Sequence, residues 1–174
     1  MAVRSIIVAP DPRLKLRSAP VERVDGRIRR LMDDLLETMY EAPGIGLSAV
    51  QIGIPERVIV VDVAREGEAR APLRLANPEV LWQADEIATR EEGCLSLPDQ
   101  YAEVSRPAKA RVRYLDHEGR WREIAVEGIL AQCLQHEIDH LEGRLFVDYL
   151  STVRRNIILR KLVKARRTGS LKSA

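Results

Sequence analysis

The chain has 174 residues, which is long enough to bury a core. Of these residues, 45% are hydrophobic and 31% are charged, a composition too apolar for a disordered protein. No apolar run approaches the roughly 20 residues of a membrane span, and the N-terminal apolar run is too short for a signal peptide. We therefore expect one cytoplasmic domain, residues 1–174, with no membrane partner and no specific DNA partner. Two cysteines in such a chain argue against a disulfide framework and leave ligation or catalysis open.

The net charge of +2 is unevenly distributed along the chain. Residues 149–174 contain eight basic and no acidic residues, whereas the preceding residues contain 20 basic and 26 acidic ones. A basic tail on an acidic body suggests a polyanionic partner surface. A helix kept soluble by its charges explains the same pattern equally well.

The first elements are an extended arm and an amphipathic helix. Three prolines punctuate residues 1–24, which predicts an arm packed along the body. Asp25 is typical of a helix N-cap, and Pro43 with Gly44 is expected to end the helix. The apolar residues between them recur at helical spacing: Ile28, Leu31, Met32, Leu35, Leu36 and Met39.

Residues 44–53 are rich in small side chains and include Gly44, Gly46 and Gln51. A phosphate-binding loop is excluded, because no G-K-[ST] follows and no predicted strand precedes the segment. Two glycines allow close approach of the backbone to something, such as a peptide-like ligand. A tightly packed loop is the alternative.

Several strands are predicted in the middle of the chain. Residues 57–63 read as a buried strand, residues 73–78 and 79–82 as short strands broken by Asn-Pro, and residues 86–92 as a further strand. Pro98 is expected to end the segment that contains Cys94. The remaining strands are residues 109–115 and 121–126, which form a hairpin whose turn holds His117.

The helical period returns from Gly128 to Gly143, and the basic tail forms a last helix. The predicted fold is α+β, with antiparallel β-sheets packed around a central metal-binding helix and with an N-terminal and a C-terminal helix.

The central helix carries H-E-x-x-H at residues 136–140. Histidines four residues apart lie one helical turn apart, so His136 and His140 can reach one metal ion, and Glu137 can reach a water on it. A solvated helix face with two ordinary histidines is the alternative. The chain has three histidines, and the third, His117, lies in the predicted turn.

A hydrolytic metal site usually has three protein ligands and one open position, so a third ligand is needed. Glu142 follows too closely on the same helix to match the zinc proteases. Cys133 is awkward, because one helix would have to supply ligands across two turns. Cys94 lies on a separate segment and could close a tetrahedron, although a small buried hydrophobic role remains open for it.

Three segments resemble, in order, the signature motifs of the peptide deformylase family. They are G-I-G-L-S-A-V-Q at residues 44–51, E-G-C-L-S at residues 92–96 and Q-H-E-I-D-H at residues 135–140. The resemblance extends from about residue 5 to residue 165. Ser48 is a departure, because the family usually has alanine there, and it bears on fine specificity only.

The resemblance implies a metal-dependent hydrolase that removes the formyl group from the N-terminal formyl-methionine of nascent bacterial polypeptides and releases formate. It implies that Cys94, His136 and His140 bind one divalent ion, usually Fe(II) in the family, with Zn(II), Ni(II) or Co(II) as possible substitutes. It also implies that Glu137 is the general base, which later returns the proton, and that the Gln51 amide and the backbone N–H of Leu95 stabilise the oxyanion.

An N-formyl-methionyl polypeptide also needs a binding surface. Gly46 leaves backbone groups free to pair with an extended peptide. Apolar residues near the predicted site are candidates for the methionine pocket, with an aromatic rim and a glycine beside them: Ile45, Ile129, Cys133, Tyr101 and Gly93.

Two other functions remain open. The motif alone also fits an H-E-x-x-H endopeptidase. The basic tail also fits a ribosome- or RNA-associated binding module whose metal is structural. In a deformylase, the same tail could hold the enzyme near ribosomal RNA, where it meets nascent chains.

Overall fold

The protein, described here by a computed structural model of residues 2–170, is α+β, which confirms the predicted fold class. Its three helices are α1 (Gly26–Glu41), α2 (Gly128–Leu141) and α3 (Thr152–Arg167). Its strands are β1 (Gly46–Ser48), β2 (Val58–Val61), β3 (Leu73–Gln83), β4 (Ile87–Cys94), β5 (Leu97–Pro107), β6 (Lys109–Leu115) and β7 (Trp121–Glu127). None of the helices in the described part is long and apolar enough to cross a membrane.

The strands form two antiparallel sheets around α2. One has five strands in the order β1-β2-β3-β6-β7, and the other pairs β4 with β5. Leu134 and Leu141 of α2 pack into the core of the five-stranded sheet. Gln132 and His136 of α2 instead bond to Glu92 on β4. The central helix α2 is therefore held between the two sheets and contacts both of them.

Helix α1 begins where the sequence predicts, and α3 begins within the predicted basic tail, residues 149–174. The Asp25 side chain accepts a hydrogen bond from the N–H of Ile28 at 3.0 Å, and the six apolar residues predicted for α1 are all buried. The Ser151 hydroxyl accepts a bond from the N–H of Arg154 at the start of α3. Capping side chains satisfy N–H groups that have no partner within the helix, which fixes the first turn of each.

The N-terminal arm packs along the body and contains one 3-10 turn, Pro12–Lys15. The N–H of Ile7 donates to the carbonyl of Gln51, and the N–H of Ala9 donates to the carbonyl of Ser96, both at 2.8 Å. The arm thereby braces the two segments that carry Gln51 and Cys94.

Two local predictions about the strands were wrong. Residues 73–82 form one strand, β3, because Asn77 adopts a φ of 48° and its amide bonds to the N–H and carbonyl of Val21, both at 2.8 Å. The Asn-Pro pair thus makes a register shift and not a break.

Pro98 does not end a strand either. The strand ends at Cys94, and Pro98 lies near the start of β5, where the missing N–H is tolerated in a sheet of only two strands. Residues 44–53 are more ordered than a packed loop, because they hold β1 and the 3-10 turn Ala49–Ile52.

Candidate metal centre

Helix α2 brings the two histidines of the motif together. Their four-residue spacing places both rings on one face of the helix, where they meet edge to face at an interplanar angle of 76°, with centroids 4.9 Å apart and the two Nε2 atoms 3.2 Å apart. His136 and His140 are both buried. Burial and the neighbouring His136 lower the pKa of His140 well below its usual value, so its ring is neutral and has a lone pair to share.

Cys94 completes the cluster from the end of β4, where the hairpin turns toward α2. Its Sγ lies 3.4 Å from the Nε2 of His140, and the three potential ligand atoms all lie within 4.8 Å of one another. Atoms bound at 2.0–2.3 Å to one tetrahedral ion are themselves about 3.3–3.8 Å apart. One sulfur and two imidazole nitrogens in this arrangement fit a divalent transition-metal ion.

Cys133 lies apart from this cluster. Its Sγ is 3.5 Å from the carbonyl oxygen of Ile45, in the wall of the adjacent cavity. Burial raises the pKa of the Cys133 thiol well above its usual value, which keeps it protonated in the metal-free protein.

Glu92 orients the ring of His136 by bonding to Nδ1, the nitrogen that faces away from His140. The Nδ1–H of His136 donates to Glu92 at 2.8 Å, which points the Nε2 atom of His136 toward Cys94 and His140. Glu92 also accepts two bonds from Arg106, at 2.6 and 3.0 Å, and one from Gln132 at 2.6 Å. Burial opposes the negative charge, but His136 and Arg106 outweigh it and lower the pKa of Glu92 to about 2.

Glu137 projects toward β1. Its side chain is 3% exposed, its Oε2 has no hydrogen-bond partner among residues 2–170, and burial raises its pKa to about 7. A Cβ at Gly46 would lie 2.5 Å from Oε1 of Glu137, so this carboxyl group needs the space that glycine leaves. A carboxyl group that titrates near neutral pH is suited to both accepting and donating a proton.

The Gln51 side chain is held on both sides. Its Oε1 accepts bonds from the N–H and the hydroxyl of Ser48, both at 2.9 Å. Its Nε2 lies 3.0 Å from the Ser96 hydroxyl oxygen and 3.6 Å from the Cys94 sulfur. Ser48, the departure from the family pattern, therefore adds a hydrogen bond that alanine could not supply.

A cavity of about 390 Å³ adjoins the cluster. Its buried end includes His136, Glu137 and Gln51, and Leu95 lines it from the turn after Cys94. The residues predicted to bind substrate all line this cavity: Ile45, Gly46, Gly93, Tyr101, Ile129 and Cys133.

The mouth of the cavity is partly apolar and exposed. Tyr101, Ile129 and Ile45 are 63%, 44% and 43% exposed. The ring of Tyr101 lies over Gly93, where a Cβ would come within 2.6 Å of a ring carbon. Because β1 is the edge strand of its sheet, an extended chain in the cavity can pair with it.

Sequence reasoning missed two residues that support His136: Glu92, which bonds to its ring, and Arg106, which bonds to Glu92. Glu92 belongs to a quoted motif, but its bond to His136 spans 44 residues and leaves no local pattern. Arg106 lies on β5, a strand that was not predicted. In a strand, alternate residues face the same side, and the apolar residues Ala102 and Val104 mark the inward side of β5. Arg106 is next in that alternation, and a charged residue at an inward position is the signal that could have identified it.

Comparisons with known proteins agree with this geometry. The Polypeptide deformylase family model matches residues 3–156. A peptide deformylase of Rhizobium meliloti is 53% identical over 173 residues, covering 99% of each chain, and one of Methylocella silvestris is 58% identical over 168 residues, covering 95% of this chain and 86% of the relative. The crystal structure of peptide deformylase from Ehrlichia chaffeensis has a TM-score of 0.93 at 41% identity and covers 98% of this chain and all of its own.

Proposed function

The chain belongs to the peptide deformylase family, whose members are metal-dependent hydrolases that remove the N-terminal formyl group from formyl-methionine of nascent polypeptides, and on that premise we propose how its residues divide this reaction. The observation that carries the proposal is the juxtaposition of three potential ligand atoms with a buried carboxyl group at the inner end of one cavity.

Cys94, His136 and His140 hold the metal ion. Fe(II) is the native ion expected from the family, and Zn(II), Ni(II) or Co(II) can substitute, because a thiolate and two imidazoles accept all of these. When bound, the ion supplies Lewis acidity and lowers the pKa of water. Glu92 supports this ligand set by fixing the tautomer of His136.

Glu137 moves the proton. Its free Oε2 accepts the proton of the attacking water and later donates it to the nitrogen of the leaving amine. A pKa of about 7 suits both steps, since neither direction of transfer is strongly uphill.

Gln51 and Leu95 stabilise the negative charge that develops on the formyl oxygen. The Gln51 Nε2 and the backbone N–H of Leu95 are the donors. Ser48 and Ser96 hold the Gln51 amide before substrate arrives, so little reorganisation is needed at the moment of reaction.

The substrate lies in the cavity as an extended chain. Its backbone pairs with the edge strand β1 at Gly46, beside Gly93 of β4. Its methionine side chain packs against apolar residues at the pocket wall and rim: Ile45, Ile129, Cys133 and Tyr101.

Formate release tests this function directly. The metal-loaded protein should release formate from a formyl-Met-Ala-Ser peptide. Cleavage of internal bonds in a longer blocked peptide, without formate release, would instead support an endopeptidase.

Association with the ribosome is a separate proposal. Helix α3 is anchored to the body by Ile158 and Leu162, while seven basic residues on it are exposed: Arg154, Arg155, Arg160, Lys161, Lys164, Arg166 and Arg167. We propose that residues 1–174 act as one cytoplasmic catalytic domain whose basic tail, residues 149–174, contacts ribosomal RNA. Residues 171–174 of that tail lie outside the described part.

Replacement of four of these charges tests the contact while the anchor stays intact. Changing Arg160, Lys161, Lys164 and Arg167 to Gln should weaken co-sedimentation with ribosomes and flatten its dependence on salt, because fewer counterions are released. Unchanged sedimentation across the salt range would remove the tail from this role.

A further inference from the structure

A short 3-10 turn, Phe146–Tyr149, contacts the ligand His136 by two routes. The first route is direct. The ring of Phe146 stacks on the ring of His136, with centroids 6.3 Å apart and an interplanar angle of 24°. Phe146 is buried, so its ring is itself fixed by the surrounding core.

The second route is a chain of hydrogen bonds. The Tyr149 hydroxyl donates to Oδ2 of Asp139 at 2.8 Å, and Arg106 donates to the same oxygen at 2.7 Å. Arg106 then donates to both oxygens of Glu92, which holds Nδ1 of His136. Four contacts thus connect a hydroxyl near the start of α3 to a metal ligand.

We propose that the turn Phe146–Tyr149 is a positioning element for His136 and that the Tyr149 hydroxyl is a positioning group of the metal centre, a proposal that rests on the metal site in the proposed function. Arg106 connects the two carboxylates, because it donates hydrogen bonds to both Asp139 and Glu92. Its charge is almost wholly buried, and it is compensated by Glu92 and Asp139 together.

Asp139 is the less confined of these two carboxylates, because its side chain is 15% exposed whereas that of Glu92 is 5% exposed. Without the Tyr149 hydroxyl, Arg106 alone bonds to Oδ2 of Asp139, and the Asp139 side chain can turn more readily toward solvent. When Asp139 turns away, Arg106 keeps only Glu92 as a carboxylate partner. Its two hydrogen bonds to Glu92 are then less well fixed in position. A ligand nitrogen that is misplaced by even about 0.5 Å binds its ion less tightly.

Replacement of Tyr149 by Phe isolates the hydroxyl. The guanidinium of Arg106 lies 4.7 Å from the centre of the Tyr149 ring, and Phe preserves that contact. Tyr149 is about half exposed, so the change leaves no cavity in a core. Phe146→Leu is the companion variant, which removes the ring contact and keeps the hydrogen-bond chain.

The chain offers a matched control. The Tyr40 hydroxyl, on α1, donates to Asp62 at 2.6 Å, so Tyr40→Phe removes the same kind of bond outside this network. Each variant is loaded with Co(II), and two quantities are measured: the rate of metal transfer to an excess of chelator, and the visible absorption spectrum of the Co(II) site.

Loss of a group that bonds directly to a ligand typically costs 10- to 100-fold in metal affinity, so this more distant group should speed metal dissociation about three- to tenfold. Tyr149→Phe and Phe146→Leu should also shift the Co(II) spectrum, whereas Tyr40→Phe should leave both quantities within about twofold of the wild type.

Equal dissociation rates and spectra in wild type and Tyr149→Phe would overturn the proposal, and so would an equal acceleration in Tyr40→Phe. Failure of the proposed function is distinguishable, since it would be a Co(II)-loaded wild type that releases no formate.

Discussion

At the inner end of the cavity, Glu137 and Gln51 are 3% and 1% exposed, whereas Ile129 and Tyr101 at its mouth are 44% and 63% exposed. Both ends belong to the same site, but they lie in different dielectric surroundings. Charges and hydrogen bonds act strongly in the buried end, where little water competes. At the mouth, side chains contribute mainly the area they cover. The inner end should therefore control turnover, and the mouth should control substrate affinity.

The largest effect is expected from removing the sulfur at the inner end. Cys94→Ala removes one of the three proposed ligands, so the purified protein should hold little metal and lose turnover on the order of a thousandfold or more. Metal analysis and formate release measure both quantities. Cys133→Ala is the matched control, because Cys133 lines the cavity and lies apart from the ligand cluster. Metal loss in Cys133→Ala with retention in Cys94→Ala would reverse the ligand assignment.

The next effect concerns charge stabilisation. Gln51→Leu removes an amide donor of similar size and should lower kcat about 10²- to 10³-fold, as the loss of one oxyanion donor does elsewhere. Ser48→Ala should cost about fivefold at most, because the Ser48 N–H still holds Gln51. Steady-state kinetics with a formyl peptide measure both. A loss of fivefold or less in Gln51→Leu would contradict its role as an oxyanion donor.

A third effect is on stability in the metal-free protein. Burial raises the pKa of Glu137 from 4.5 to about 7, so the folded state holds a proton that the unfolded chain releases. Stability from this group is complete below pH 4.5 and is lost as the pH rises toward 7, by roughly 3 kcal/mol in all.

Glu137→Gln cannot titrate and should escape this loss. The difference in unfolding free energy between Glu137→Gln and wild type, both without metal, should therefore grow in favour of the variant between these two pH values. Urea unfolding at several pH values measures it. A difference that does not change with pH would show that the carboxyl group titrates normally.

The smallest effect is expected at the mouth. Ile129→Ala and Tyr101→Ala should each raise KM for a formyl-methionyl peptide about three- to tenfold and change kcat little, since they remove apolar contact area only. Ile87→Ala is a suitable control, because Ile87 is also exposed, at 57%, but does not line the cavity. A fall in kcat with unchanged KM would place these residues at the reacting centre.

The same contrast explains what the sequence could predict. Two of the proposed ligands and Glu137 stand at fixed spacing on one helix, and the third proposed ligand lies in a short motif beside a glycine. Such local patterns can be recognised in the sequence. Helices α1 and α2 were predicted for a similar reason, since their apolar residues repeat every three to four positions.

Contacts between distant segments could not be predicted in this way. Glu92, Arg106 and Tyr149 come together from β4, β5 and the turn before α3, and no local period records that meeting. The sequence pattern predicted two strands where β3 is one. The hydrogen bonds that hold the positive φ of Asn77 come from Val21, 56 residues away, and are not visible in the local sequence. Tertiary contacts overrode the local turn chemistry of Asn-Pro in that strand.

The central claim is that the buried carboxyl group of Glu137 moves the proton beside a metal held by Cys94, His136 and His140. Formate release by Glu137→Gln, measured at the same metal occupancy as the wild type, tests it most directly. The variant should hold a full complement of metal and turn over about 10²- to 10⁴-fold more slowly. Near wild-type turnover at full occupancy would contradict the claim and remove Glu137 from the role of base.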